Sequence, residues 1–455
     1  REVCKDIFGT KIGIVPYIKP GFSLAKKAAD IFEDDPNVEG LLLLGHGHFA
    51  FGKTAKHSYD LIISHTQAVA EYLKLDSPTA LNVRQPHEGH KIIPLIRGLI
   101  GAMAGNDAAM PIMDVRNGPE DIAFLKRSDL DSLATRGTAS PDHVIRIKGC
   151  PLVLPRSVWS VGHTAIKSAL DRYADQYRAM FNRQAPLADE PKKILPPDPK
   201  IIWMEDVGLI GLGANATAAR IAGDLAVQNA RVRAVGEDMG GFYPIGEKDL
   251  FDLEYWSLEQ AKLGKSTAPR MRGRVVMVTG GAGTIGLAIA KAFAKHAAEC
   301  FLIDIDQTLL DHALEHIGGE HSGIALNVTD EDSASKAMSA CIDKFGGLDI
   351  LVSNAGTATS GALLDLSESA LRAAFELNFF SHQRFANAAA RLFKLQGQHG
   401  QILFNISKQA VNPGKNFGAY GMPKATTLSL MRQLALELGE AGIPINGVNA
   451  VRIRS

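Results

Sequence analysis

With 455 residues, the chain is long enough for two or three domains, each with its own core. Lys plus Arg and Asp plus Glu both number 49, so the formal net charge is zero, and no basic field exists to make a general binder of nucleic acid or anionic membrane. Cys4, Cys150, Cys300 and Cys341 form no CxxC pair, and no apolar run reaches the ~18–20 residues of a bilayer span, so disulfide scaffolds, structural zinc sites and membrane helices are not expected. Small-molecule chemistry in a reducing, cytoplasmic setting is the expectation. The chain opens on Arg1 and stops at Ser455, just after the strand-like INGVNAVRI, and is expected to be an internal fragment of a longer protein.

The first informative element is LLLLGHGHFAFGKT, residues 41–54. Four leucines after Val38-Glu39-Gly40 read as a strand covered on both faces, followed by a glycine-punctuated turn and a helix. His46 stands where the strand stops, the position at which α/β proteins gather their chemistry. In a strand, His46 and His48 would point to one side, as a metal pair must, although a lone histidine there is as often structural.

Two segments punctuate the middle. APLADEPKKILPPDPK (185–200) carries prolines at 196, 197 and 199, which exclude a helix interior, and reads as a linker. SLEQAKLGKSTAPRMRGR (257–274) is polar and basic and leads into VVMVTG, placing a boundary near 268. Between them, IIWMEDVGLIGLGANATAARIAGDLA repeats the opening stretch at an offset of 161: Gly47 aligns with Gly208, Gly52 with Gly213 and Ala55 with Ala216, while Val207 replaces His46. A degenerate second copy that kept the scaffold and lost the chemistry is expected.

From 274 onward, strands (VVMVTG, ECFLID, LDILVSN) alternate with helices (LAIAKAFAKH, ASKAMSACIDKF), the pattern of a parallel, doubly wound sheet. TGGAGTIG (279–286) follows the first strand and opens the first helix, so Gly280, Gly283 and Gly286, with Ile285, are candidates to receive a pyrophosphate at the helix N-terminus. Asp304 ends the second strand 18 residues after Gly286; a carboxylate there accepts from the adenosine ribose and repels a 2′-phosphate, which favours NAD over NADP. Tyr420 and Lys424, four apart, share a helical face, so the ammonium can depress the phenol pKa and make Tyr420 a general base. Ser407 closes the strand QILFNIS and can hydrogen-bond a substrate oxygen.

These residues make 274–455 resemble a short-chain dehydrogenase/reductase. The family's Asn-Ala-Gly appears as Asn354-Ala355-Gly356, its catalytic asparagine as Asn378 in AFELNFF, its serine as Ser407 in NISKQA, and its Tyr-xxx-Lys as Tyr420 and Lys424 in YGMPK. The resemblance implies that Lys424 also binds the nicotinamide ribose, that Asn378 holds a water for proton relay, and that all four catalytic residues share one cleft. Thr284 replaces the middle glycine of TGxxxGxG, and Asn327, beside Val328, replaces an aspartate that contacts adenine; weakened binding is expected there. Pro423 is tolerable if it lies in the first helical turn.

Residues 37–73 resemble the C-terminal part of a class II aldolase/adducin-type domain, in which a histidine before glycine at a strand end is a zinc ligand. That role passes to His46 but not to His48, and the remaining ligands and a catalytic glutamate would lie upstream of residue 1. SPDHVIRIK (140–148), EYWSLEQAKL (254–263) and NPGKNFGAYGMPKA (412–425) resemble the fusions of rhamnulose-1-phosphate aldolase with a short-chain dehydrogenase. His143 in the first of these reads as structural. The expected fold is a partial class II aldolase-type α/β domain (1–190), a linker with the degenerate repeat (191–268), and a Rossmann-type dehydrogenase domain (269–455). The resemblance implies zinc-dependent cleavage of a ketose 1-phosphate to dihydroxyacetone phosphate and L-lactaldehyde, with NAD-dependent oxidoreduction of the aldehyde or a related alcohol. It further implies a cytoplasmic homo-oligomer without nucleic-acid or membrane partners. The alternative is an NAD-dependent dehydrogenase carrying a non-catalytic, adducin-like oligomerisation module.

Overall fold

The computed structural model describes residues 2–75, 87–105, 109–257, 260, 269–398 and 400–450. The first sheet holds β1 (Ile12–Val15) parallel to β2 (Gly40–Leu43), which pairs antiparallel with β3 (Gly47–Ala50). The leucine run thus forms a strand, but it enters a hairpin before the helix Ala55–Leu73 begins. Gly45, at φ 69°, supplies the left-handed residue that the turn requires. His46 therefore lies in the turn and His48 in β3, so the two histidines are not neighbours along one strand.

The second sheet runs β4 (Ile112–Arg116), β7 (Gly208–Gly213), β6 (Ile201–Met204), β5 (Leu152–Leu154) in spatial order. The suspected repeat recurs here as hairpin and helix at the same offset: β6 and β7 begin 161 residues after β2 and β3, and the helix Ala216–Asp238 begins 161 after Ala55. β5 and β6 pair parallel across the proline-rich 185–200 segment, so that segment is a crossover and the expected division at 190/191 falls inside one sheet. The expected boundary at 268 lies outside the described residues.

The third sheet has six strands, β8 (Val275–Thr279), β9 (Glu299–Asp304), β10 (Ser322–Ala325), β11 (Ile350–Ser353), β12 (Gln401–Ser407) and β13 (Ile445–Ala450), in the order β10-β9-β8-β11-β12-β13. Every neighbouring pair is parallel, so strand order reverses between β8 and β11, where open α/β sheets place their ligands. The second and third sheets share a core. Arg97, fully buried on the helix Ile93–Met103, donates to Asp349 at 2.7 Å and to the carbonyls of Pro111 and Gly273 at 2.9 and 3.3 Å. A Cβ at neighbouring Gly98 would drive into the carbonyl of Gln396, which is why that helix can approach the helix Ser381–Gln396 so closely. Pro423 corrects the expectation of a first-turn position: the helix starts at Gly418, so the proline lies in its second turn and removes the bond that would reach the Ala419 carbonyl.

Candidate functional site

β8 ends at Thr279, whose hydroxyl accepts the backbone N–H groups of Asn354 (2.9 Å) and Ala355 (3.0 Å), so the first turn of the sheet is tied to the end of β11. The three glycines of the turn differ in purpose. Gly280 takes φ 62° and has no room for a Cβ beside Ala355; Gly286 packs on the Gly280 carbonyl; Gly283, at the head of the helix Thr284–Lys295, is exposed, with the nearest atom 3.5 Å from a Cβ placed there. No side chain caps that helix, so its N-terminal amides suit a phosphate. Thr284 is exposed in its first turn, and Ile285 is half-buried beside it.

Asp304 accepts the N–H groups of Ala282 and Ile305, both at 2.9 Å, and thereby holds the glycine turn while each oxygen keeps a further lone pair. Neighbouring Ile305 is 70% exposed and brings no charge to the position. Other candidates also make contacts within the protein. Asn327 accepts from the Thr329 N–H (3.1 Å) and donates to Asp330 (3.2 Å), so its amide closes a local turn, and Val328 is buried in the core. Asn354 donates to the carbonyls of Thr279 and Gly280 and accepts from Asn405 at 2.9 Å, which makes it a brace between strand ends.

Asn378 and Lys424 converge on Gly356. A Cβ there would lie 2.7 Å from Asn378 Oδ1 and 3.4 Å from Lys424 Nζ, so a side chain at 356 would close the space between them. Asn378 sits in a single π-turn, Glu376–Phe380, a deformation that recurs at functional sites. Its Nδ2 donates to the carbonyls of Thr357 and Ala374, while Oδ1 is buried without a hydrogen-bond partner. Ser407, buried at the end of β12, accepts the Gln409 N–H at 3.3 Å. Tyr420 is half-buried in the first turn of the helix Gly418–Gly439, and the Lys424 ammonium lies 5.9 Å from its ring centre.

Lys424 itself is only 2% exposed. Its Nζ donates to the Asn405 carbonyl at 3.1 Å and lies 3.3 Å from His382 Nε2, so the lysine sits in a buried polar nest at the edge of the site. Burial pushes the ammonium pKa down to about 8, which leaves it charged at neutral pH. Sequence reasoning missed His382 and Asn405; the available signal was a histidine four residues after Asn378, one turn along a helix from a catalytic position.

His46 is half-buried, and its Nδ1 has no hydrogen-bond partner. His48 faces elsewhere, its Nε2 3.1 Å from Nδ1 of buried His65, whose Nε2 lies 3.6 Å from Glu39. Among the described residues no group of three or more His, Cys, Asp or Glu is arranged to hold a metal. One imidazole does not make a catalytic zinc site, so the described residues do not fit the metal by themselves. His143 is buried with Nδ1 2.7 Å from Ser140 Oγ, as a structural histidine would be. A cavity of about 750 Å³ lies beside the second sheet, lined in part by Tyr177, Glu254 and Lys148. The Lys148 amine there is already held by the carbonyls of Pro196 and Asp198, pinning the crossover segment.

Three family descriptions match successive parts of the chain: "Class II Aldolase and Adducin N-terminal domain" over 1–73, "Aldolase class II, second domain" over 87–263, and "short chain dehydrogenase" over 274–455. The chain is 27% identical to the oxidoreductase YuxG of Bacillus subtilis (strain 168), across 98% of its own length and 67% of that protein's. It is 32% identical to short-chain dehydrogenase reductase 4 of Arabidopsis thaliana over 45% of its length and 71% of the relative's. A solved 3-ketoacyl-(acyl-carrier-protein) reductase from Brucella melitensis, complexed with NADH, is 28% identical over 40% of this chain and 76% of that one, with a TM-score of 0.39. The chain belongs to the short-chain dehydrogenases, and it is an enzyme in which that oxidoreductase domain is joined to class II aldolase domains.

Proposed function

We propose that the protein is a bifunctional enzyme of sugar catabolism, cleaving L-rhamnulose 1-phosphate or a similar ketose 1-phosphate and carrying out NAD-dependent oxidoreduction of the resulting lactaldehyde or a related alcohol. The single observation that carries the dehydrogenase reading is the approach of Asn378 Oδ1 and Lys424 Nζ to Gly356, with Tyr420 one helical turn from the lysine. NAD, when bound, supplies the hydride acceptor or donor. The exposed face of Gly283 and the uncapped helix behind it are suited to its pyrophosphate, and Asp304 to its adenosine ribose rather than to a 2′-phosphate. Tyr420 gives or takes the substrate proton at its Oη, helped by the positive charge of Lys424. Ser407 Oγ orients the substrate oxygen, and Asn378 Oδ1, a buried acceptor without a partner, suits a relay water.

For the aldolase half we take His46 as one zinc ligand and assign no step of the cleavage to the described residues. A homo-oligomeric, cytoplasmic enzyme acting on small sugar phosphates and aldehydes is the setting that this reading implies. The test uses the full-length protein. Tyr420→Phe should abolish reduction of NAD by 1,2-diols or hydroxyaldehydes while release of dihydroxyacetone phosphate from rhamnulose 1-phosphate continues, and Asp304→Ala should narrow the preference for NAD over NADP. Equal loss of both activities in Tyr420→Phe contradicts separate sites. Absence of dihydroxyacetone phosphate release from the wild type would leave the aldolase half as an oligomerising scaffold.

A further inference from the structure

Beside the dehydrogenase site lies a buried titratable group to which that reading gives no task. His382 sits on the helix Ser381–Gln396, is 1% exposed, and places Nδ1 2.6 Å from Ser353 Oγ and Nε2 3.3 Å from Lys424 Nζ. We propose that His382 is a positioning residue that holds Lys424 for the dehydrogenase step, its Nε2 accepting a Lys424 N–H while its Nδ1–H donates to Ser353. The inference rests on the dehydrogenase role assigned above.

The donor inventory supports this arrangement. An ammonium has three N–H groups and no acceptor, so the contact requires an unprotonated Nε2, and the proton of the neutral ring then belongs on Nδ1, facing Ser353. One Lys424 N–H goes to the Asn405 carbonyl and one to His382, which leaves the third for the space bordered by Gly356, where the site opens. The histidine thus determines which way the ammonium faces. Its own orientation is held by Ser353 on β11, by a hydrogen bond to the Ala355 backbone just beyond that strand, and by the Phe404 ring of β12, 6.2 Å away. Burial first, and the Lys424 charge second, hold the imidazole pKa well below its usual range, so the ring stays neutral when the lysine is charged. Among the described residues, the titratable groups shown beside Lys424 are His382 and, on its own helix, Tyr420; Asn405 and Asn378 contribute only neutral dipoles.

If the role is right, removing the acceptor destabilises the charged lysine, and Lys424 loses its proton at lower pH. The decisive measurement is the pH titration of the Lys424 ¹³Cε resonance in the full-length protein, which needs no substrate. His382→Leu should lower the midpoint by about one unit, a tenfold loss of proton affinity. His382→Gln, whose amide oxygen can take the place of Nε2, should restore most of it. Ser353→Ala, a milder change that leaves the ring in place, should move the midpoint in the same direction by less. In the dehydrogenase assay with NAD and lactaldehyde, the alkaline limb of kcat/KM should shift with the titration. An unchanged Lys424 midpoint in all three variants, even with lower thermal stability, overturns the proposal. A shifted midpoint in an enzyme whose wild type lacks dehydrogenase activity would retain the contact and reject the dehydrogenase reading.

Discussion

The hairpin-and-helix units at 40–73 and 201–238 have the same order of elements at the same spacing, yet they sit in different environments. In both, a left-handed residue turns the hairpin, Gly45 at φ 69° and Asp206 at φ 62°, and a side-chain N-cap starts the helix, Thr54 on the His57 N–H and Asn215 on the Ala218 N–H. The second unit is then enclosed. β7 gains β4 on its free side, its strand is almost wholly buried, and its helix packs through Ala219, Ala222, Gly223 and Ala226. Gly211 allows this, because a Cβ there would strike the backbone of Ala219 and Gly223, whereas the matching position of the first unit, 161 residues earlier, is Ala50. In the first unit β3 remains an edge, Phe49 is 52% exposed, and His65 is the buried residue of the helix. At the position where the second unit has Val207, fully buried in the core, the first has His46 with an unpartnered ring nitrogen. The lesson is that a shared scaffold keeps its caps and turns, while the packing around it decides whether the loop end serves the core or remains available to a ligand.

The contrast can be broken most severely at the anchor that only the second unit's domain possesses. Arg97→Ala leaves buried Asp349 with only the more distant, partly exposed Arg274 guanidinium at 3.5 Å, and a loss of about 3 kcal/mol is expected in thermal unfolding. Exchanging the residues at the loop ends should separate the two units next. Val207→His forces an imidazole into a closed core and should cost about 3 kcal/mol, while His46→Val should alter stability by less than about 0.5 kcal/mol. Similar losses from both would show that the two environments do not differ as described. Removing the caps sharpens the comparison: Thr54→Ala and Asn215→Ala should each cost about 1 kcal/mol, seen as local fraying of amide protection in the first unit and as a lowered global midpoint in the second.

The smallest effect should appear with pH. Burial, and then the neighbouring His65, hold His48 below its ordinary 6.5, so the unfolded chain binds that proton more readily than the folded one. Its contribution is therefore complete above about pH 6.5 and is lost as pH falls toward the depressed value. Protection factors for residues 40–50 should drop between pH 7.5 and 5.5, while those of 201–213, a stretch without histidine, should hold.

Much of the dehydrogenase half was readable before its structure, because its signals are local. A glycine turn between an apolar strand and a helix, and Tyr420 four residues before Lys424, depend on periodicities of two and 3.6 that a short window contains. β10 escaped notice because SGIA is short and half-buried throughout, with neither alternation nor a continuous apolar run. The hairpin at 44–46 was hidden for a related reason: FAFG after the turn resembles a loop until it is paired with β2.

The sequence by itself determined the parallel architecture from 274 onward, the position of the dinucleotide turn, the spacing of the tyrosine and lysine, and the recurrence at offset 161. Only the tertiary structure decided that the proline-rich segment is a crossover within one sheet, that β4 covers β7, and that Lys424 is buried against His382. The physical reason is range. Caps, turns and helical faces are settled by residues within a few positions of one another, whereas the burial of a charge depends on groups such as Ser353, His382, Asn405 and Lys424, spread over 71 positions and brought together only when two strands and two helices pack.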